Sequence, residues 1–370
     1  MRELIIDLDA IAANFHTMKN RAGGAKVMAV VKANAYGHGM VEVALKLEAE
    51  KADYFGVADV DEALELREYG IETPILAWLH DPEDRFVEAL DNDIELGVAN
   101  VEQLQRIADA ARLTDLKARL HLKVDTGLSR NGATLNDWPL LLTATKELIE
   151  LGLVEVVGVF SHLSSTGETE DRAQIVKFEQ AVQQVRDAGI DFQLRHLTAS
   201  DGSLSYPEAH YDMVRIGVAL YGLSPFADHH SAEYGLRPAM TAVAHITQVK
   251  RVDAGTGISY GYLAHAEEDS TLVLVPVGYY EGLPRNATGK HEVSINGKCY
   301  KIEARIAMDQ FVVNVGDDEV SAGDEVVIFG DPASGVPSAD DLAIACDTIN
   351  YEVVTRMGGR FKRHYLGSVE

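Results

Sequence analysis

Eight short apolar, β-branched runs recur through the first 218 residues, at 26–31, 54–58, 74–78, 94–98, 118–124, 154–160, 192–197 and 213–218. Eight is the number of strands that closes a (β/α)8 barrel. Most of the intervening segments, among them 40–47, 61–66, 101–111 and 175–188, repeat apolar residues at helical spacing. Alternation of strand and helix demands parallel strands with helices packed outside, an α/β arrangement. A TIM-like barrel is the expected form, and a doubly wound open sheet is the alternative that periodicity leaves open. In a parallel barrel the carboxyl ends of the strands carry the chemistry. Here those ends carry Lys32, Asp59, Asp125-Thr126-Gly127, Ser161-His162 and Thr198-Ala199-Ser200-Asp201.

The pattern changes after Ser224-Pro225-Phe226. From Met240 onward it reads as strands and turns: 241–252, 272–277, 293–295 and 300–302 around Asn296-Gly297, and 326–329. Asn-Gly between alternating runs is a strong hairpin signal. Short helices are expected at 340–345 and 349–356. The division expected is a barrel over 1–230 and a mainly β domain over 231–370. A strand-like start at 4–8, leading into a helix at 10–19, fits either domain.

Composition narrows the partners. With 33 Lys+Arg against 58 Asp+Glu, the formal net charge of −25 repels phosphate backbones and anionic lipid headgroups. Nucleic acid and membrane surfaces are thereby disfavoured. Only Cys299 and Cys346 are present, too few for a disulfide framework or a Cys-rich metal site. No apolar stretch approaches the ~20 residues of a membrane span. A cytoplasmic protein without a metal is expected.

A lysine at a strand end is ordinarily a solvated or ion-paired group. Lys32 instead follows the apolar run Ala29-Val30-Val31, where an apolar setting favours the neutral, nucleophilic amine that attacks carbonyls. A kinase reading fails, because neither a Gly-rich loop upstream nor His-Arg-Asp and Asp-Phe-Gly motifs accompany it. The segment Val31-Lys32-Ala33-Asn34-Ala35-Tyr36-Gly37-His38-Gly39 resembles the cofactor-attachment segment of the alanine racemase family. Further matches follow in order: Lys123 to Gly132, Val214-Arg215-Ile216-Gly217, Ile258-Ser259-Tyr260-Gly261, Val277-Gly278-Tyr279, Met308-Asp309-Gln310 and Ile349-Asn350-Tyr351-Glu352. Their joint occurrence across both domains gives the resemblance its specificity.

The resemblance implies a pyridoxal 5'-phosphate (PLP) enzyme that interconverts L- and D-alanine as a homodimer with shared active sites, supplying D-alanine for peptidoglycan. It implies Lys32 as cofactor anchor and first base, and Tyr260, from the partner's β domain, as the opposed base. Racemisation needs such opposed acid–base groups. Arg215 would face the pyridine nitrogen, where a group that does not readily give up a proton keeps the ring a weaker electron sink than an acid partner would. Tyr36, Ser200, Gly217 and Tyr351 would hold the phosphate. Arg130 and the Met308 backbone N–H would meet the substrate carboxylate, His162 would orient Arg215 or Tyr260, Asp309 would support that network, and Tyr279 would stand at the entrance. Lys123 matches a lysine that many relatives carry as a carbamate holding Arg130. Ala307 departs from the family by replacing a common cysteine, which removes a thiol but no acid or base the chemistry needs.

Three other readings compete. A barrel-type PLP decarboxylase shares the Val-Lys-Ala-Asn segment but places an acid at the ring nitrogen, where Arg215 stands here. A non-catalytic PLP-binding protein would consist of the barrel alone. A racemase of serine or broader specificity is harder to separate, since a methyl-sized difference in a pocket discriminates by only about 1–3 kcal/mol.

Overall fold

The computed structural model describes residues 1–367, which divide into two compact units. The chain opens with β1 (Arg2–Asp7), which belongs to the β-rich unit described below, and then enters the barrel.

The barrel unit comprises Phe15–Ala35 and Met40–Leu220. Its strands are β2 (Lys26–Val30), β3 (Tyr54–Val57), β4 (Ile75–Ala77), β5 (Ile94–Val98), β6 (Ala118–Lys123), β7 (Val154–Phe160), β8 (Leu194–His196) and β9 (Met213–Ile216). They form one parallel sheet in the order β8-β7-β6-β5-β4-β3-β2-β9. Strand β9 pairs with β2, from Lys26 opposite Met213 to Ala29 opposite Ile216. The seam between β8 and β9 is narrowed by Asp212 N donating to Arg195 O at 3.2 Å and Arg215 N to Thr198 O at 3.0 Å. The barrel is therefore nearly closed, and the open-sheet alternative falls away.

Strands β3, β4, β5 and β9 are buried along their whole length, as sheets covered by helices on one side and a filled interior on the other must be. Met28, Tyr54, Leu76, Val157, Leu194 and Met213 fill part of that interior, with Trp78 against them. All eight expected runs are strands, two to three residues shorter at most. Helices at Phe86–Asp91, Trp138–Glu150 and Ser200–Ser205 were not anticipated.

The second unit gathers Met1–Asn14, Tyr36–Gly39 and the chain from Tyr221 onward. Its strands are β10 (Met240–His245), β11 (Gln248–Val252), β12 (Gly257–Ile258), β13 (Ala264–His265), β14 (Ser270–Val275), β15 (Glu292–Ile295), β16 (Lys298–Lys301), β17 (Phe311–Gly316), β18 (Glu325–Phe329) and β19 (Lys362–Leu366). Six form a sheet in the order β16-β15-β18-β10-β1-β19, with further sheets β11-β14-β17 and β12-β13. Strand β1 pairs antiparallel with β10 and parallel with β19, so the two ends of the described chain meet in one sheet. The hairpin β15–β16 turns on Asn296 and Gly297, both at positive φ (51° and 79°), as a tight turn of that type requires.

The run 241–252 is a correction: it is two strands, β10 and β11, in different sheets. Between them Ile246 N bonds Asp324 O and Thr247 N bonds Leu274 O, so the chain passes from one sheet to the other without a turn residue. Among the described residues no helix is long and apolar enough to cross a membrane.

Candidate active site

Strand β2 ends at Val30, and Lys32 opens a turn of the wrong hand for L-residues. Ala33, Asn34 and Ala35 have φ/ψ near 52°/50°, 53°/46° and 52°/50°, and Tyr36 has φ 54°. Left-handed backbone costs roughly 1–2 kcal/mol per non-glycine residue, so the surroundings must hold it. Ala35 N donates to Val31 O at 2.7 Å, Ala33 N to Glu62 Oε1 at 2.6 Å, and Met40 N to Asn34 Oδ1 at 2.9 Å. Glu62 also accepts from Ala58 N at 2.8 Å, tying the turn to the end of β3. The Lys32 ammonium lies 5.9 Å from the Trp78 ring. Burial, then the charge of Arg130, lowers the Lys32 pKa, while burial raises that of Glu62. The shift is towards the neutral amine, the form in which a lysine attacks carbonyls.

Arg215, near the end of β9, is buried. Its Nη2 donates to Ser161 O at 2.8 Å, Leu197 O at 2.9 Å and His162 Nδ1 at 2.9 Å, and its Nη1 to His196 Nδ1 at 3.1 Å. Among the described residues no carboxylate bonds it directly. Burial lowers its pKa to about 10, still well above neutrality, so the guanidinium stays charged. That fixed charge, second only to burial, holds His162 well below its ordinary pKa. His162 therefore accepts at Nδ1 as a neutral ring.

Lys123 ends β6, 8% exposed, its ammonium 5.1 Å from the Phe160 ring. Burial first, and then Arg215, Arg130 and Lys32, lower its pKa to about 7. Arg130, on the exposed loop after β6, thus bears on both lysines. The Ser200 Oγ accepts from Gly217 N at 3.1 Å and Ala219 N at 3.4 Å. With both lone pairs engaged, the hydroxyl still has its proton to donate to an anion.

Tyr36 and Tyr351 belong to the β-rich unit. The Tyr36 ring lies 4.8 Å from that of Tyr221 and 6.2 Å from that of Tyr351. Burial pushes the Tyr36 phenol up, so it remains a hydrogen-bond donor. In the same unit Tyr260, Tyr279 and Met308 are exposed, Tyr260 by 70%. Tyr279 N donates to Ala307 O at 3.2 Å and Tyr280 N to Met308 O at 3.0 Å. A methyl group on Gly278 would collide with those two carbonyls, so only glycine permits the approach. Asp309 Oδ1 accepts from Arg360 Nη2 at 2.7 Å, and Arg360 also pairs with the buried Glu281, which caps Gly278 N at 2.9 Å.

The barrel unit thus brings together Lys32, Lys123, Arg130, His162, Arg215, Ser200 and Gly217, and the β-rich unit holds the other six expected residues. Glu62, His196, Glu281 and Arg360 escaped the sequence reading. Glu62 carried a signal, an acid in the first turn of the helix after β3. His196 carried another, a polar residue in a strand otherwise destined for burial.

These residues fit PLP. The mutual repulsion of Lys32, Lys123, Arg130 and Arg215 is relieved by an anionic group, and the Ser200 hydroxyl is a donor for a phosphate. A nearly closed parallel barrel carrying such a lysine at its strand ends, with a β-rich unit appended, defines a barrel-type PLP enzyme.

Comparison with known proteins specifies the family. Residues 6–225 match the family model described as alanine racemase, N-terminal domain, and residues 239–365 match alanine racemase, C-terminal domain. The chain is 47% identical over 369 residues to an alanine racemase of Salinispora arenicola, covering 99% of this chain and 98% of that protein. It superposes on the crystal structure of alanine racemase from D-cycloserine-producing Streptomyces lavendulae with a TM-score of 0.97 at 44% identity, covering 99% and 97% of the two chains. The alanine racemase from Streptomyces coelicolor A3(2) gives a TM-score of 0.97 at 39% identity, covering 99% and 98%. The chain belongs to the alanine racemase family, a family of PLP-dependent isomerases.

Proposed function

We propose that this protein interconverts L- and D-alanine, with Lys32 as the PLP-anchoring residue and Tyr260 of a partner subunit as the opposed base. The observation that carries the reading is Arg215: buried, cationic, and bonded to carbonyls and imidazoles rather than to a carboxylate. When bound, PLP draws electron density from the substrate Cα–H bond. Lys32 Nζ, its proton affinity lowered by burial, takes or returns the Cα proton on one face. The Tyr260 hydroxyl does so on the other. Arg215 offers donors but no readily released proton to the ring nitrogen, which disfavours protonation away from Cα. His162, neutral, keeps Arg215 oriented. By the family likeness Ser200, Tyr36 and Tyr351 would hold the phosphate, with Gly217 N bracing the Ser200 hydroxyl through its bond to Oγ.

Arg130 and Met308 N bind the substrate carboxylate, Asp309 fixes the Met308 loop through Arg360, and Tyr279 lines the entrance. Lys123, with a pKa of about 7, is poised to take up CO2 as a carbamate that holds Arg130. The exposed Tyr260, Tyr262, Leu263, Tyr280 and Met308 support a homodimer, since large apolar side chains left in solvent favour a protein partner. The same reading places the enzyme in the cytoplasm, feeding D-alanine to peptidoglycan synthesis. The test is a circular-dichroism racemisation assay with L-alanine, L-serine and L-lysine in the presence of PLP. Loss of signal from L-alanine first is expected, and a protein that decarboxylated or ignored all three would overturn the assignment.

A further inference from the structure

The interior of the barrel holds a line of polar groups that the proposed chemistry does not use. Glu95, on β5, His121, on β6, and His196, on β8, are all fully buried. His196 Nδ1 meets Arg215 Nη1 at 3.1 Å, its Nε2 meets His121 Nδ1 at 2.9 Å, and His121 Nε2 meets Glu95 Oε2 at 2.7 Å. Beyond Glu95, Arg119 Nη2 lies 2.6 Å from Oε1, and Arg119 also reaches Asp93 and Glu155 towards solvent.

The ends of this line fix every proton along it. A guanidinium can only donate, so His196 Nδ1 is an acceptor and its proton sits on Nε2. That proton is given to His121 Nδ1, which leaves the His121 proton on Nε2, given in turn to the Glu95 carboxylate. Both rings are neutral, both are Nε2–H tautomers, and all three hydrogen bonds run in one direction. Burial and the Arg215 charge hold His196 well below its ordinary pKa, in keeping with a neutral ring.

The backbone is shaped to permit the line. The β6–β7 register slips between Leu120 and His121, and Gly158 stands where a methyl group would collide with His121 Nδ1 and lie 2.8 Å from Cε1. Phe160 stacks on His196 at 4.7 Å and 6°, fixing the ring plane. Barrel interiors are ordinarily filled by branched apolar side chains. A mere filler would not need two histidines, a buried acid and a glycine cut to fit them.

We infer that Glu95, His121 and His196 form a directed hydrogen-bond relay that makes Glu95 the remote counter-ion of Arg215. They are positioning residues. The relay orients the guanidinium from two imidazoles away and adds to the charge of Asp201, which also favours the cation, without a carboxylate bonded to the group that faces the ring nitrogen. This rests on the proposed role of Arg215, but its structural core does not depend on catalysis.

The experiment joins nitrogen-15 histidine NMR of the cofactor-free protein to kinetics of the PLP-loaded enzyme. In the wild type, His121 and His196 should both give neutral Nε2–H signals slow to exchange with solvent; an Nδ1–H tautomer or an imidazolium at either site at pH 7 would overturn the relay whatever the kinetics. His121→Gln can still accept from His196 and donate to Glu95, whereas His121→Leu cuts the line at similar volume. Loss of a charge-assisted contact predicts that His121→Leu lowers kcat by about 10- to 100-fold and alters the pH dependence of the bound-cofactor absorbance. His121→Gln should restore most of both. Equal kcat and equal spectra in the two variants would refute the relay. A wild type that binds PLP and shows the expected tautomers but does not racemise alanine would refute the functional reading and leave the relay standing.

Discussion

Replacing Lys123 by methionine should make the protein more stable at neutral pH and less active. Burial and the repulsion of Arg215, Arg130 and Lys32 lower the Lys123 ammonium from 10.5 to about 7. In the unfolded chain the same group holds its proton to about pH 10.4. Between about pH 7 and pH 10 the unfolded state therefore binds one more proton than the folded state, and stability rises with pH across that window. Below pH 7 the penalty is fully present. At about 1.4 kcal/mol for each factor of ten in proton affinity, it amounts to about 5 kcal/mol as an upper bound. Relaxation and water reduce this, so methionine should recover about 1–4 kcal/mol at pH 7. The assay is equilibrium denaturation of the cofactor-free protein from pH 6 to 9 in CO2-free buffer. The wild type should gain stability over the variant's profile as pH rises. Added bicarbonate should stabilise the wild type alone, because only a neutral amine at this site captures CO2. The variant should also bind substrate less well, as Arg130 loses its anchor. Equal pH slopes, or an equal response to bicarbonate, would refute the reasoning.

Lys32→Ala should abolish both activity and the absorbance of lysine-linked cofactor; racemisation near the wild-type rate would sink the site assignment. Mixing Lys32→Ala and Tyr260→Phe subunits tests the shared site, since a hybrid dimer regains one intact pair of bases. Random assortment should restore about a quarter of wild-type activity from two nearly inactive parents, whereas no restoration after verified subunit exchange would count against sharing. Gly158→Ala should cost about 1–3 kcal/mol in thermal or denaturant unfolding by overpacking His121, and a neutral substitution would argue against the tight approach.

The barrel was legible because its strands are buried on both faces and so read as continuous β-branched runs bounded by polar ends. The Asn296-Gly297 hairpin was legible because its turn demands positive φ. Strand β19, Lys362–Leu366, was not, since it is largely exposed and exists by pairing with β1 at the other end of the chain. The passage from β10 to β11 was hidden because neither Ile246 nor Thr247 signals a break. At the site, the motifs around Lys32, Arg215 and Tyr260 stood out through family likeness, but the left-handed turn could not be read from Ala-Asn-Ala-Tyr. Along β6, Arg119, His121 and Lys123 alternate and share one face, a signal of polar groups inside the barrel. Their partners Glu95 and His196 lie on other strands, and only the fold aligns them.

The turn from Ala33 to Tyr36 carries a stereochemical irony. Its backbone is the mirror image of ordinary helix, the conformation that D-residues adopt without strain. A semisynthetic chain with D-alanine at positions 33 and 35 should fold with roughly 1–2 kcal/mol less strain at each. The segment that follows the anchoring lysine would then be most comfortable in the very enantiomer the enzyme is proposed to make, and ribosomal synthesis, confined to the L-series, leaves Glu62 and Asn34 to hold it in place.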